Sequence, residues 1–562
     1  MPGPNGHRKL LEQLTADGVT HMFGNPGSSE EGLLDELTRY PDIRYILGLQ
    51  EAATVCMADG YAQGTHRPAV VQLHCSVGTG NAIGSLYHAW RRKTPMVVLS
   101  GESGAEFDPL EAHMWVDLIG MARPVTKYAV RATHPSSLLR LLRRCWKIAS
   151  TPPWGPVLMT VPQDVLDAEN HEAVVPTSVL ETRTAPAPSL IADAAGMLAG
   201  AQNPILIVGD GVSHAGAHAE LIRLAETLGA AVWAGMASEM IMPHSHPLQR
   251  GSMGHMFGTS SGRLVEDADA VIIAGTYVFS DVFPVLDNPF RADAKIIHID
   301  HDTHAIARNH PVTLGLVSDP KLTFAALADA LAASMTDAQK AAAAERMRAS
   351  GAAREEARKQ AIERDRSRGA TVPMYMAAFA EPLSRALPKD AIIFDEALTH
   401  SPELQRWCPP EQPGSFFYTP GGTLGVGLPG AVGLKLAHPD RTVVGFSGDG
   451  GAMYTYQALW TAAHCGIAAK FVVCNNRSYR LLKQNLVAYW RDRGVNPPNF
   501  PPPFDVREPG IDFVALSQSL GVPGLRVANP ADCEAAIAAM LGHPGPFLLE
   551  LILEDGVDRP PA

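Results

Sequence analysis

The stretch from Gly448 to Asn476 leaves few folds open. An apolar strand, Arg441 to Ser447, runs into Gly448-Asp449-Gly450-Gly451. A helical pattern follows from Tyr456 to His464, and a second apolar strand, Ala469 to Cys474, ends in Asn475-Asn476. Parallel neighbours in a sheet are joined by crossovers of this kind. Asp449 and Asn476, 27 residues apart, then stand at the carboxyl ends of two strands, where open α/β sheets bind ligands. A carboxylate and an amide oxygen with no soft ligand beside them suit a hard cation such as Mg²⁺, whose shell is usually completed by phosphate oxygens. Gly448 and Gly450 let a diphosphate approach the backbone without meeting a Cβ. A Gly-Asp-Gly-Gly string alone is an ordinary tight turn. The asparagine at the next strand end is what makes it a metal–diphosphate candidate.

Strand and helix patterns alternate almost throughout, which predicts an α/β fold of parallel sheets covered on both faces. Strands are expected at Thr20–Phe23, Arg44–Leu49, Ala69–His74, Pro95–Ser100 and Pro156–Val161, then from Pro204, Ala270 and Lys295, and again from Ala391 to the run Pro546–Leu553. A Pro-, Ser- and Thr-rich stretch from Val175 to Ser189 reads as a linker. Asp337 to Arg368, rich in Ala, Arg, Glu and Lys, reads as a solvated helical connector. The expected boundaries are residues 1–180, 190–335, a connector over 336–370, and 371–562. At 562 residues, several domains are expected. A net charge of −12 argues against a nucleic-acid partner. The seven cysteines are scattered and lack a CxxC pair, as for reduced, packed thiols. The first residues do not read as a signal peptide and no apolar run reaches about 18 residues, so no membrane span is expected and a cytoplasmic enzyme is.

In the middle block, Gly209-Asp210-Gly211 follows a strand, but His214 leaves the dinucleotide fingerprint incomplete and no Walker lysine is present. A structural turn is the expectation, and neither FAD nor NAD is predicted.

In the first block, Glu51 follows the apolar strand Tyr45–Gln50 and opens a helix, a place where a carboxylate is also a routine cap-region residue. Ser28 lies in Gly24-Asn25-Pro26-Gly27-Ser28, and His74 precedes Cys75-Ser76-Val77-Gly78-Thr79-Gly80-Asn81. Ser28 with Glu31 also satisfies a capping box, and His74 could equally be a satisfied core histidine. Three strand ends converging on one crevice favour active-site roles for both.

The spacing of Asp449 and Asn476 resembles the diphosphate-binding motif of thiamine diphosphate (ThDP) enzymes. Arg44–Ala52 followed by Ala58-Asp59-Gly60-Tyr61-Ala62-Gln63 resembles their pyrimidine-binding segment. The resemblance covers nearly the whole chain and looks closest to the benzoylformate decarboxylases, in a group with acetolactate synthases and 2-hydroxyacyl-CoA lyases. Further carrying segments are Phe23–Ser28, Gly78–Ala82, Ala458–Ala463 and Pro509–Phe513.

It implies ThDP and Mg²⁺ as cofactors, with metal ligands Asp449, Asn476 and the Ser478 carbonyl. It also implies a pyrimidine-binding domain, a middle domain and a diphosphate-binding domain. Glu51 would contact the aminopyrimidine ring nitrogen N1′, and burial against an apolar strand would favour its proton-sharing form. His74 would be a proton shuttle, with Ser28 beside it. Thr399, Gly422, Gly448, Gly450 and Tyr479 would line the cofactor, and Leu424 would prop it into its bent shape.

The implied partners are a small 2-oxo acid, aldehyde or acyl substrate and further copies of the chain. A homodimer or homotetramer is expected, Glu51 of one subunit facing Asp449 of the next. The implied reaction is non-oxidative decarboxylation of a 2-oxo acid with aldehyde carboligation; acetolactate synthase-like carboligation and acyl-CoA cleavage are the alternatives. One departure stands out: Val282 occupies the place of a second catalytic histidine of benzoylformate decarboxylases, which leaves His255, His113 or water as proton donors. Arg480-Leu481-Leu482 after Tyr479 is bulkier and more basic than the resembling segment. A noncatalytic scaffold would be expected to have lost Glu51, Asp449 or Asn476, and all three are present. A flavin-linked oxidase is disfavoured by the incomplete fingerprint.

Overall fold

The structure, a computed structural model, describes residues 3–254, 256–420, 422–495 and 499–557. The chain divides into two units: Met1–Leu180 with Asp365–Cys408 and Gly421–Ala562, and Glu181–Arg364 with Pro409–Pro420. As expected, the fold is α/β and built on three parallel sheets.

The first sheet of the first unit contains β1 (His21–Gly24), β2 (Arg44–Leu47), β3 (Ala69–Leu73), β4 (Met96–Glu102), β5 (Tyr128–Arg131) and β6 (Pro156–Pro162), in the order β2-β1-β3-β4-β6-β5. Every pair is parallel. The central strands β3, β4 and β6 are apolar runs buried along nearly their whole length, as strands covered by helices on both faces must be. Strand order reverses beside β1, so the segments leaving β1 and β3 flank a crevice. Gly24-Asn25 and His74 leave the sheet there.

The sheet of the second unit contains β7 (Pro204–Val208), β8 (Ala231–Ala234), β9 (Gln249–Ser252), β10 (Ala270–Ala274), β11 (Lys295–Asp300) and β12 (Leu314–Val317), in the order β12-β11-β10-β7-β8-β9. After β7, the Asp210 carboxylate accepts hydrogen bonds from Ser238 N (2.5 Å) and Ser238 Oγ (2.6 Å). A Cβ on Gly211 would come within 2.5 Å of Gly275 Cα. This glycine turn is therefore occupied by the packing of its own unit. Residues 170–187 carry no helix or strand, and Asp337–Ser367 is one 31-residue helix.

Back in the first unit lies β13 (Ile392–Glu396); the short strand β14 (Phe416–Phe417) belongs to the second, where its Phe416 carbonyl accepts from Met240 N. β15 (Val443–Gly448), β16 (Lys470–Asn475), β17 (Gly524–Val527) and β18 (Phe547–Ile552) continue from β13 in the order β13-β15-β16-β18-β17. Within this unit the helices Glu51–Thr65 and Gly427–Ala437 pack backbone to backbone. A Cβ on Gly433 would lie 1.9 Å from Met57 O, and one on Gly60 would lie 2.3 Å from Gly430 O. Nothing larger than glycine fits at either point without moving a helix. Beside them Arg92, fully buried, donates to Asp59 at 2.6 Å.

All seven cysteines are free. No helix among the described residues is long and apolar enough to cross a membrane.

Candidate active site

Parallel pairing of β15 and β16 sets Gly448 opposite Cys474, so Asp449 and Asn475-Asn476 leave neighbouring strands at the same end. Asp449 is 6% exposed. Its Oδ1 accepts from Gly450 N (2.7 Å) and its Oδ2 from Arg477 N (2.5 Å). Arg477 takes a left-handed backbone, φ 56°, to deliver that N–H. Burial pushes the Asp449 carboxyl above its ordinary range, against the pull of these donors.

The two asparagines separate in role. Asn475 donates to Glu550 on β18 at 2.7 Å, a lateral tie within the sheet. Asn476 is buried, and its Oδ1 accepts from Ser478 N at 3.0 Å. The Ser478 carbonyl accepts from Arg480 N at 2.8 Å. Asp449, Asn476 and Ser478 thus offer carboxylate, amide and carbonyl oxygens at the end of one sheet, an all-oxygen set of the kind that fits Mg²⁺. A Cβ on Gly448 would meet nothing within 4 Å, so the approach along this turn is open. Tyr479 packs on Gly450, where a Cβ would come within 2.5 Å of its ring. A hollow of about 460 Å³ opens here, lined by Asp449, Gly450, Met453, Tyr454, Arg477 and Tyr479 among others.

Glu396 and His400 carry weight that sequence reasoning missed. Glu396, at the end of β13, is buried and accepts from Gly425 N (2.5 Å), Gly427 N (2.7 Å) and Ser447 Oγ (3.0 Å). These bonds clamp the turn that carries Gly422 and half-buried Leu424, where Gly422 and Gly425 sit at φ 77° and 84°. Burial pushes the Glu396 carboxyl up to about 7. Thr399 lies in the short 3₁₀ turn Leu398–His400. The adjoining His400 is buried, with Nε2 3.3 Å from Asn476 Nδ2. Burial, and then Arg480, hold this imidazole down at about 3, so it is neutral. Its signal was its place one residue beyond Thr399.

In the first sheet, Glu51 opens the helix Glu51–Thr65 and is 7% exposed. Gln50, not Glu51, supplies the cap, accepting from Ala53 N at 2.9 Å. The Glu51 carboxylate is thereby free for Asn25 Nδ2 (3.1 Å, on Oε1) and Asn81 Nδ2 (3.0 Å, on Oε2). Both asparagines lie inside the Gly24–Ser28 and Gly78–Ala82 segments, yet nothing in their spacing assigned them to Glu51. A Cβ on Gly78 would press to 3.3 Å from Glu51 Oε1.

His74 is half-buried at the N-cap of the helix Cys75–Arg91, with Nδ1 3.0 Å from Glu30 Oε2 and 3.1 Å from Ser29 Oγ. Gly27 makes room for the ring: a Cβ there would lie 2.1 Å from His74 Cγ. The capping box that Ser28 and Glu31 could have made, the alternative to an active-site role, does not form. The helix Glu31–Leu37 has Glu30 at its N-cap and no side-chain cap bond. Glu30 instead turns inward, accepting from Gly27 N (3.1 Å) and Ser29 Oγ (2.5 Å) and meeting His74. Ser28 is exposed. Burial raises the Glu30 carboxyl despite these partners.

The hydrogen-bond partners of Glu51 all come from segments leaving the first sheet, and those of Asp449 all from segments leaving the third. Large exposed apolar side chains lie on the same segments: Leu49 just before Glu51, Val77, Tyr87 and Trp90 on the helix Cys75–Arg91 that carries Asn81, Met453, Tyr454 and Tyr479 in the hollow with Asp449, and Leu482 on the helix Arg480–Asp492.

Comparison with known proteins matches three family descriptions along the chain. They are the N-terminal TPP-binding domain (residues 4–121), the central domain (191–327) and the C-terminal TPP-binding domain (399–551) of thiamine pyrophosphate enzymes. The benzoylformate decarboxylase of Pseudomonas aeruginosa is 32% identical over 97% of this chain and 98% of its own. Acetolactate synthase isozyme 1 large subunit of Escherichia coli is 27% identical over 98% and 94%. Among solved structures, the thiamine diphosphate-dependent 4-hydroxybenzoylformate decarboxylase of Rhodococcus jostii superposes with a TM-score of 0.84 at 29% identity, over 98% of this chain and 99% of that one.

Proposed function

Because the chain belongs to the thiamine pyrophosphate enzyme family, we propose that it uses thiamine diphosphate with Mg²⁺ to break, and in the carboligation sense to form, a carbon–carbon bond beside a carbonyl. The reaction we assign is non-oxidative decarboxylation of a 2-oxo acid of the benzoylformate type, with ligation of aldehydes as a second outcome. The observation that carries this reading is the buried oxygen set of Asp449, Asn476 and Ser478, hard donors of the kind that suit Mg²⁺ beside phosphate.

Asp449, Asn476 and the Ser478 carbonyl would hold the metal. Gly448, Gly450, Thr399 and Gly422 would line the diphosphate, with Tyr479, and Leu424 would hold the cofactor in its bent shape. When bound, the cofactor supplies an electron sink for the carbon that loses carboxylate. Glu51 would hold a proton toward the pyrimidine ring, and Asn25 and Asn81 fix the direction in which its two oxygens point. His74, aimed by Glu30 and partly open to solvent, moves a proton to or from the reacting carbon or oxygen. Ser28 presents an exposed hydroxyl beside it.

The separate partners of Glu51 and Asp449, and the apolar side chains around each, support a homo-oligomer in which one copy completes the site of another. The test is a screen of 2-oxo acids and acyl-CoA thioesters with ThDP and Mg²⁺, reading CO₂, aldehyde and acyloin together. CO₂ from aryl 2-oxo acids is expected. Cleavage of acyl-CoA thioesters with no CO₂ from any 2-oxo acid would overturn the assignment.

Val282 favours a second reading, carboligation as the main outcome. It is apolar and 60% exposed, and it stands where the resembling decarboxylases have a histidine. A valine cannot deliver the proton that releases aldehyde. His113 is exposed on a loop after β4, and His255 lies outside the described residues. Val282→His is expected to shift products from acyloin to aldehyde, and rapid, clean benzaldehyde formation by the parent protein would discard this reading.

A further inference from the structure

Around His74 the chain gathers a second, chemically different set of ligands. One carboxylate oxygen of Glu30, one ring nitrogen of His74 and Cys75 Sγ all lie within 4.8 Å of one another. Glu30 Oε2 and His74 Nδ1 are 3.0 Å apart. Ser29 Oγ sits among them, 2.5 Å from Glu30 Oε1, 3.1 Å from His74 Nδ1 and 3.1 Å from Cys75 Sγ. Ser29, Glu30 and Cys75 are buried, while His74 keeps an open edge. Cys75 reaches the cluster from a left-handed backbone, φ 43°, a conformation that a non-glycine residue seldom adopts and that marks a position held by its surroundings.

We propose that Glu30, His74 and Cys75 form a binding site for a thiophilic divalent transition ion, with Zn²⁺ or Co²⁺ as the fitting class, separate from the Mg²⁺ centre at Asp449. Metal–ligand bonds of about 2.0–2.3 Å in a tetrahedral shell set ligand atoms roughly 3.3–3.8 Å apart. The Glu30–His74 pair needs only to open by a few tenths of an ångström, and Cys75 Sγ to close by about 1 Å or less. Small rotations of side chains already facing one another achieve both. The fourth position opens on the exposed edge of His74, where water can complete the shell. One carboxylate and one thiolate neutralise the ion, and on binding the Cys75 thiol gives its proton to solvent.

Sulfur and imidazole select Zn²⁺, Co²⁺ or Cu²⁺ over Mg²⁺, just as the oxygen set at Asp449 selects the reverse. Ser29, hydrogen-bonded to the other oxygen of Glu30, orients the carboxylate toward the ion. The ion would occupy the lone pair of His74 Nδ1 and hold the ring still. Inhibition of turnover by added zinc therefore follows, a consequence that rests on the role proposed for His74, whereas the binding itself does not.

The experiment titrates Co²⁺ into the full chain under argon, with Mg²⁺ and ThDP saturating, and reads absorption rather than activity. One equivalent per chain is expected to produce a sulfur-to-cobalt charge-transfer band together with the strong visible bands of four-coordinate cobalt, and Zn²⁺ is expected to bleach both. Cys75→Ser should abolish the charge-transfer band and His74→Ala should weaken binding at least tenfold. Cys465→Ser, which removes a half-buried thiol elsewhere, should leave the spectrum intact. The proposal is overturned if the parent shows only the weak spectrum of an oxygen-ligated ion. A thiolate band that survives both Cys75→Ser and His74→Ala overturns it equally. His74 is only partly buried, so its alanine variant tests the site even if Cys75→Ser fails to fold.

Discussion

Replacing Glu51 by glutamine separates chemistry from architecture at one position. The two Glu51 oxygens accept from Asn25 at 3.1 Å and Asn81 at 3.0 Å. A glutamine keeps one acceptor and turns the other arm into an N–H₂ donor, so one asparagine amide faces a donor whichever way the side chain lies. Left unrelieved, the loss of a hydrogen bond to a charged group costs about 1.5–3 kcal/mol. Rotation of the opposed asparagine amide restores a neutral bond and leaves a net penalty of about 1 kcal/mol. Folding and cofactor affinity should therefore survive with changes of only a few-fold. Proton sharing with the pyrimidine nitrogen should not, because an amide cannot hand over a proton there.

The expected loss is about a thousandfold in deprotonation of the cofactor carbon C2, close to 4 kcal/mol of barrier. That is several times the folding penalty, and the two are measured independently. Hydrogen–deuterium exchange at C2, followed by NMR in acid-quenched samples, reads the chemical step. Calorimetric titration with ThDP and the melting temperature read the rest. Glu51→Asp keeps the carboxyl but withdraws it by one carbon–carbon bond, about 1.5 Å, and should fall between parent and Gln. An exchange rate in Glu51→Gln equal to the parent's would refute the role, and a loss of ThDP binding as large as the loss of exchange would make Glu51 a positioning residue instead.

Dialysis against EDTA should abolish activity, and Mg²⁺ and ThDP together should restore it; Asp449→Ala should bind ThDP at least tenfold more weakly, and parent-like affinity in that variant would remove Asp449 from the metal centre. Co-refolding Glu51→Gln with Asp449→Ala should recover part of the activity in mixed oligomers, since one site in such a pair holds both parent residues. No recovery despite demonstrated subunit exchange would mean that each chain completes its own site. The Glu396 carboxyl is raised by burial from 4.5 to about 7, so its contribution to stability is full below about pH 4.5 and is lost as pH rises through 7, by about 3 kcal/mol at most. Glu396→Gln lacks that titration, and unfolding of metal-free protein at pH 5 and pH 8 should show a shallower decline in the variant than in the parent; parallel declines would count against the raised value.

What the chain determines locally is visible in its text. Apolar runs ended by glycine mark strand ends, and the recurrence of strand and helix patterns requires parallel sheets. In that frame Asp449, Asn476, Glu51 and His74 must emerge at carboxyl ends of strands, because those positions depend only on where each run stops. The partners of these side chains were a different matter. Asn25 and Asn81 meet at Glu51 because β1, β2 and β3 lie in the order β2-β1-β3, which brings together segments that are 26 and 30 residues away in sequence from Glu51. Ser28 and Glu31 have capping-box spacing, yet Glu30 turns inward to His74 across 44 residues, and that contact outweighs a local cap. His400 and Glu396 gain their importance from buried neighbours, Asn476 just past β16 and Ser447 on β15. Gly60 and Gly433, 373 residues apart in the chain, are small because two helices touch there. Local pattern decides where a residue leaves its strand, since that is a matter of backbone period and apolar burial. Lateral strand order and helix contact decide what it meets, and these are settled by packing among segments distant along the chain.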